Sequence, residues 1–343
     1  MNSSSIVISM VLPTYNMGRY LGDCVRSMRR QKFENWEAIF IDDGSSDDTL
    51  EQLKAFSAED SRIRYIHQQN GGVSKARNVG ILAACGDWVW CIDPDDVLLS
   101  DSLERIYSLL SGSDREVVFF SELGHFVGSF DWSKRATGSF VTIDESDDGG
   151  GRLLLQNRTV WGHPFMRVLR RDLYRQCLYF EGTRYYEDSL QLIDTVCAVK
   201  RWLYVDAGVY GYRQRGGSVC HGYKKGQCGA VMDTVARMIK RLRECNILTV
   251  DQLRCYFDHV LKGALRWYFY LALRRGSDDE RRELRGVYKK AVASIGWPFA
   301  NPCLNLRLTV AELGMYQGMV KGLDFLEYLA GGISARVRRV FKM

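Results

Sequence analysis

Residues 36–49 read WEAIFIDDGSSDDT. A short apolar run stops at two carboxylates, a glycine and a Ser/Asp cluster of the kind that starts a helix, so the stretch reads as strand, polar loop and helix N-terminus. The same order recurs on either side. Strand signals in IVISMVLP (6–13), WEAIFIDD (36–43), IRYIHQ (63–68), DWVWCID (87–93) and EVVFF (116–120) alternate with helical patterns in GRYLGDCVRSMRRQ (18–31), SDDTLEQLKAFSAED (46–60) and VSKARNVGILAAC (73–85). This order implies an α/β fold with a mainly parallel sheet, right-handed crossovers and flanking helices. In such sheets ligands bind at the carboxyl ends of the strands. Those ends carry Pro13-Thr14-Tyr15-Asn16, Asp42-Asp43-Gly44-Ser45 and Asp93-Pro94-Asp95-Asp96, three polar loops expected on one rim.

Each loop has a chemistry. CIDPDD (91–96) puts three carboxylates within four positions, and mutual repulsion there is relieved by a raised pKa or by a bound cation. Mg²⁺ and Mn²⁺ take carboxylate oxygens and share their shell with substrate phosphates. An acidic turn that caps a helix explains the same residues without an ion. Asp42 or Asp43, at a strand end, can accept from a nucleobase N–H or from ribose hydroxyls, and Gly44 allows close approach of the backbone; a helix cap accounts for them equally. Pro13 ends its strand, leaving Thr14 and Tyr15 to meet a base. NGGVSKARNVG (70–80) is the basic member, with Lys75 and Arg77 in the first turns of a helix whose start favours anions. A base reader, an anion-attracting helix and an acidic cluster on successive loops of one sheet point together to a nucleotide diphosphate.

The 343 residues are 46% hydrophobic and 26% charged, a globular balance with room for one large domain and an appendage or for two modest domains. The net charge of +6 is mild and uneven: residues 331–343 hold Arg336, Arg338, Arg339 and Lys342 with no acid. Such an end suits an anionic membrane surface, and the chain as a whole is not a nucleic-acid binder. The ten cysteines include no CxxC pair, and Cys85, Cys91 and Cys197 sit in apolar runs, which reads as reduced core residues of a cytosolic protein. No secretory leader is expected, and ALRWYFYLAL (264–273), interrupted by Arg266, falls short of the roughly 20 residues that span a bilayer. The expected location is cytoplasmic, at most against the inner face of the cell membrane.

Further along, ESDDGGG (145–151) reads as a loop, EGTRYYEDSLQLIDTVCAV (181–199) as a helix entered near Asp188, and RWLYVDAGVYGYRQRGGSV (201–219) as a strand or hairpin. Beyond about 222 the patterns are helical, in VMDTVARMIKRLREC (231–245), residues 249–275 and residues 278–292. The expected organisation is a first domain over 1–222 and a helical region over 223–343, with the boundary near 220–228.

PTYN, the DDGSxDxT pattern, NxGxSxARNxG and DPDD, in this order and spacing, resemble the family 2 glycosyltransferases, inverting enzymes of the GT-A fold. The resemblance covers about the first 100 residues. It implies a nucleotide-sugar half over 1–100 and an acceptor half over 101–222. By resemblance, Thr14, Tyr15 and Asp43 hold the nucleoside, with Pro13, Asp42 and Lys75 nearby, and Arg77 faces the nucleotide. Asp93, Asp95 and Asp96 form the DxD-type site for Mg²⁺ or Mn²⁺, with Asp93 and Asp95 also toward the donor. FEGTRYYEDS (180–189) resembles the family's ED motif, which makes Asp188 the general base, with Glu187 the alternative; a sugar hydroxyl attacking an anomeric carbon must lose its proton. VYGYRQRGGSV (209–219) matches the pattern YRxRxxS, so that Arg213, Arg215 and Ser218 order a lid or reach phosphate. The implied partners are a UDP-sugar or other nucleotide-sugar donor and a glycan or lipid-linked glycan acceptor of cell-surface polysaccharide synthesis. The QxxRW motif of processive synthases is missing, which favours single-sugar transfer. His163 and His221 show no zinc-site spacing.

Two other classes fit less well. A nucleotidyltransferase carries a Gly-rich basic loop after its first strand, where this chain has PTYNMGRY (13–20). A non-catalytic sugar-binding module has no need of both the acidic cluster and the ED pair.

Overall fold

The computed structural model describes residues 7–140, 142–146, 150, 162–183, 185–214, 227–249, 252, 253 and 256. The chain divides into two units, Met1–Gly222 with Asp233–Gly263, and Tyr223–Met232 with Ala264–Met343. Every described strand lies in the first. Arg215, Ser218 and His221, the helical patterns over 278–292 and nearly all of 249–275, and the basic end over 331–343 lie outside the described residues.

The described residues contain nine strands in one sheet: β1 (Ile8–Thr14), β2 (Trp36–Asp42), β3 (Ile63–His67), β4 (Trp88–Cys91), β5 (Val97–Leu98), β6 (Val117–Phe126), β7 (Thr142–Ser146), β8 (Arg167–Arg170) and β9 (Trp202–Arg213). The order is β3-β2-β1-β4-β8-β6-β9-β5, with β7 also paired to β9. From β3 to β4 all pairs are parallel, and β8 then enters antiparallel between β4 and β6. The helices are α1 (Gly18–Arg29), α2 (Thr49–Glu59), α3 (Val73–Ala83), α4 (Ser102–Leu110), α5 (Arg171–Gln176), α6 (Glu187–Ala198) and α7 (Gln227–Cys245). The expected α/β architecture of the GT-A type is the one observed.

β1 and β2 are buried at every position, which is why they read as continuous apolar runs: helices cover both faces. α1 turns Leu21, Cys24, Val25 and Met28 inward at helical spacing. Gly80 of α3 is dictated by close approach, since a Cβ there would lie 2.4 Å from Val11 Cγ1. The core gathers Trp36, Phe40, Trp90, Phe120 and Phe165 around these strands.

Several local expectations change. β1 does not stop at Pro13 but runs to Thr14, paired with Asp42; its pairing with β4 ends at Val11, so Pro13 lies beyond the part of β1 flanked on both sides. Glu145 and Ser146 belong to β7 on the edge of β9, not to a loop. Residues 202–213 make one strand, not a hairpin. Cys91 is buried and Cys197 half-buried, but Cys85 is exposed. Among the described residues no helix is long and apolar enough to cross a membrane.

Candidate active site

The first two loops hold each other. Thr14 is buried, donates its hydroxyl to the Leu12 carbonyl at 2.9 Å, and accepts the Asp43 N–H on its own carbonyl at 2.8 Å. Asp42 is fully buried, with Oδ2 2.6 Å from His67 Nδ1 and Oδ1 accepting the Ser45 N–H at 3.2 Å. Asp43 accepts from Gln68 Nε2 (2.7 Å) and from the N–H groups of Gly71 and Gly72 (both 2.8 Å). It thereby fixes the entry to α3, where Gly72 takes a φ of +89° that suits glycine alone. Thr14, Asp42 and Asp43, expected to hold or adjoin a nucleoside, are thus engaged in building the rim, and Pro13 is buried in the sheet. Tyr15 and Lys75 are exposed on that rim.

The acidic loop is supported from below. The Asp93 N–H donates to the Tyr210 hydroxyl at 2.9 Å. Arg213, expected at a lid or a phosphate, is instead buried under the loop: its N–H donates to Asp96 Oδ1 (2.7 Å), Nε to the Asp95 carbonyl (2.8 Å) and Nη2 to Asp23 (2.9 Å). Asp96 is only 1% exposed. Burial, then the Asp95 and Asp93 carboxylates, push its pKa well above the ordinary range. Among the described residues no three His, Cys, Asp or Glu side chains converge as an ion site, and Asp96 is engaged within the loop by the Arg213 N–H. Asp93 and Asp95 remain partly exposed. A hard cation that shares its shell with a diphosphate needs only one or two carboxylates, so these two fit such an ion.

Arg77 joins this loop to the second half of the chain. Its guanidinium is 4% exposed and hydrogen-bonds Asp188 through Nη1, with Glu187 Oε1 at 3.7 Å and Asp93 Oδ1 at 3.3 Å from Nη2. The Tyr179 ring lies beneath it, 5.0 Å from the guanidinium carbon. Asn78 clamps the same segment, donating to the Tyr179 carbonyl (2.9 Å) and accepting the Tyr179 N–H (2.8 Å). The ARN part of the basic motif therefore ties the two halves together, and Arg77, expected at the nucleotide, centres on carboxylates. Glu187 and Asp188 occupy the first turn of α6, entered through Tyr186 at a φ of +59°, a left-handed conformation costly for a bulky side chain.

Burial raises the pKa of both carboxylates, and Arg77 opposes it. Glu187 is pushed up to about 7, by burial and then by Asp188. An acid whose native pKa exceeds its ordinary value, here 4.5, binds more proton in the folded state, so its contribution to stability declines as pH rises through that window. Glu187→Gln is expected to gain roughly 2 kcal/mol at pH 8 and little at pH 4. Urea unfolding at the two pH values measures this, and equal gains at both contradict it.

Three rings lie in near-parallel stack beside the carboxylates: His163 on Phe165 (5.0 Å, 7°) and Phe165 on Tyr210 (4.5 Å, 8°). Burial lowers the His163 pKa, favouring neutral imidazole. Sequence reasoning missed Tyr179, Tyr210 and Arg167 as parts of this site; Tyr210 lies two residues ahead of the YRxRxxS pattern and the other two lie outside any motif, so only pairing reveals their place.

A rim of this kind, with an acidic loop and a carboxylate pair brought to one arginine at the ends of parallel strands, is the architecture of sugar-nucleotide-dependent GT-A glycosyltransferases. Residues 9–178 match the family model described as Glycosyl transferase family 2, and the chain belongs to that family. The glycosyltransferase GlyG of Streptococcus pneumoniae is 27% identical over 269 residues, 75% of this chain and 87% of that protein. The uncharacterized glycosyltransferase EpsJ of Bacillus subtilis is 28% identical over 220 residues, 62% of each. The crystal structure of S. aureus TarS 1–349 in complex with UDP-GlcNAc has the same fold, with a TM-score of 0.66, 16% identity, and coverage of 84% of this chain and 81% of that one.

Proposed function

We propose that the protein transfers a single sugar from a UDP-sugar to a hydroxyl of a glycan or lipid-linked glycan in cell-surface polysaccharide assembly, with inversion at the anomeric carbon. The observation that carries this is the reach of Arg77 from the acidic loop to the ED pair, which sets a diphosphate-side carboxylate and a base around one site. The UDP-GlcNAc complex of TarS, a protein of the same fold, supports uridine as the base.

Asp188 takes the proton of the acceptor hydroxyl as its oxygen bonds the anomeric carbon and the bond to the diphosphate breaks, the electron pair leaving with the diphosphate. Attack opposite the leaving group inverts the centre. Arg77 lowers the Asp188 pKa against the rise that burial causes, which favours the ionised form a base requires. Glu187, with its raised pKa, bears on the electrostatics of its neighbour. Tyr15 and Lys75, exposed on the rim, line the donor side with Asp93 and Asp95. Asp93 and Asp95 would hold a Mg²⁺ or Mn²⁺ ion, which would supply neutralisation of the charge that builds on the leaving group. Action at the inner face of the cell membrane is part of the proposal, prompted by the basic 331–343 segment.

A thermal-shift panel of UDP-, GDP- and dTDP-sugars, each with Mn²⁺ or with EDTA, tests the donor and the ion together. At a hundredfold excess over Kd, binding stabilises by about 2.7 kcal/mol, expected as a melting shift of several degrees for UDP-sugars with Mn²⁺ alone. Equal shifts in EDTA remove the ion from the proposal; no shift with any UDP-sugar removes the donor.

A further inference from the structure

Arg167 of β8 is 0% exposed, and among the described residues it forms no ion pair. Its guanidinium is spent on neutral acceptors. Nη1 donates to the carbonyls of Gly162 (3.1 Å) and His163 (2.9 Å), while Nη2 donates to the carbonyl of Asp188 (3.3 Å) and to Gln191 Oε1 (2.5 Å). Nε is buried without a partner. A buried cation with no ion pair among the described residues is expensive, and an apolar side chain such as methionine would avoid that cost. Packing therefore does not explain the residue. What the planar fork provides is span: one pair of N–H groups reaches the turn that carries His163, the other reaches the first turn of α6, and a lysine ammonium cannot serve both in that geometry.

We propose that Arg167 is a positioning residue for the transfer reaction: it fastens the turn at Gly162 and His163 to the first turn of α6, and so sets the direction in which Asp188 meets the acceptor hydroxyl. This rests on Asp188 being the base. Gln191 belongs to the same device. It accepts from Arg167 on Oε1 and donates Nε2 to the Cys177 carbonyl and Thr195 Oγ1, both at 3.0 Å, so the acceptor that anchors the fork is itself held. The positive charge of Arg167 also bears on the acidity of Asp188, in the same direction as Arg77 but from the buried side.

The test compares Arg167→Met and Arg167→Lys with the wild type by following nucleoside diphosphate release from UDP-N-acetylglucosamine, water standing in for the acceptor, alongside hydrogen exchange. Misplacement of a reacting group by about 1 Å costs on the order of 10²-fold in rate, and that loss is expected in kcat for Arg167→Met with the donor KM unchanged. Its acidic limb moves to higher pH, because a cation near the base is gone. Arg167→Lys restores the limb but not kcat. Exchange rises over residues 162–166 and 187–191 in both variants. A purely structural residue would lower activity only in proportion to folded protein and leave the limb in place. A folded variant with kcat within about threefold of wild type, or with unchanged exchange over both segments, overturns the proposal; exchange is read on the lysine variant if the methionine variant does not fold. Asp188→Asn separates the two inferences. If that variant keeps its turnover, the base lies elsewhere; if it is inactive while Arg167→Met is normal, only the positioning role fails.

Discussion

Asp188→Asn is expected to lower kcat by about 10²- to 10⁴-fold, the range a positioned general base supplies, while donor affinity stays within a few-fold. The amide is close in size, so packing against Arg77 survives, but it cannot accept the acceptor's proton. Loss of its charge also loosens the hold on Arg77, whose remaining partners are Asp93 at 3.3 Å and Glu187 at 3.7 Å. Donor affinity should therefore hold or tighten as the guanidinium becomes available to the diphosphate. Calorimetry with a UDP-sugar and Mn²⁺, set beside single-turnover transfer, separates the effects. Turnover near the wild-type level would move the base to another group, with Glu187 the first to examine.

Arg77→Met is expected to be the most damaging change to the fold among the site residues. It removes a 4% exposed cation and leaves Asp93, Glu187 and Asp188, themselves only 28%, 17% and 24% exposed, repelling one another. Removing one partner of a buried pair typically costs about 3–5 kcal/mol, and partial exposure of the three acids places this case near the lower end. The loss should depend on pH. Without the cation Glu187 and Asp188 have still higher native pKa values, the folded state takes up more protons than the unfolded chain, and stability declines as pH rises. The variant should therefore lie closest to wild type in acid and furthest from it above pH 7. Chemical denaturation across pH 5 to 8 measures this, and a deficit independent of pH would show that Arg77 acts by packing on Tyr179 and not by charge.

The two predictions also mark where sequence reading stops. The alternation of apolar runs and polar breaks located β1 to β4 and α1 to α3 to within a few residues, because strand period, helix spacing and loop chemistry are local. The three loops do share a rim. The role of each polar side chain on it was less legible. Asp42 and Asp43 look like ligand groups because most of their donors, His67, Gln68, Gly71 and Gly72, come from the end of β3 and the loop after it. Arg77 looked like a phosphate contact because Asp188 stands 111 positions away in the chain. Arg167 opens β8 with no motif around it, and the partners its Nη2 reaches, the Asp188 carbonyl and Gln191 Oε1, stand 21 and 24 positions further along the chain. Asp96 joins Asp93 and Asp95 through the resemblance to a DxD-type site, and its bond from the Arg213 N–H of β9 is invisible in the local sequence.

The place of β8 in the sheet bears on how the protein can be taken apart. β4 ends the parallel half on one side, yet its outer neighbour is supplied by residues 167–170, after the chain has already built β6. A fragment stopped after α4 would leave the β4 edge open to pair with other chains, with Arg77 and Asn78 stripped of the partners that bury them. Residues 7–110 are thus no detachable cassette: grafting or swapping them between transferases requires that β8 and the first turn of α6 travel with them.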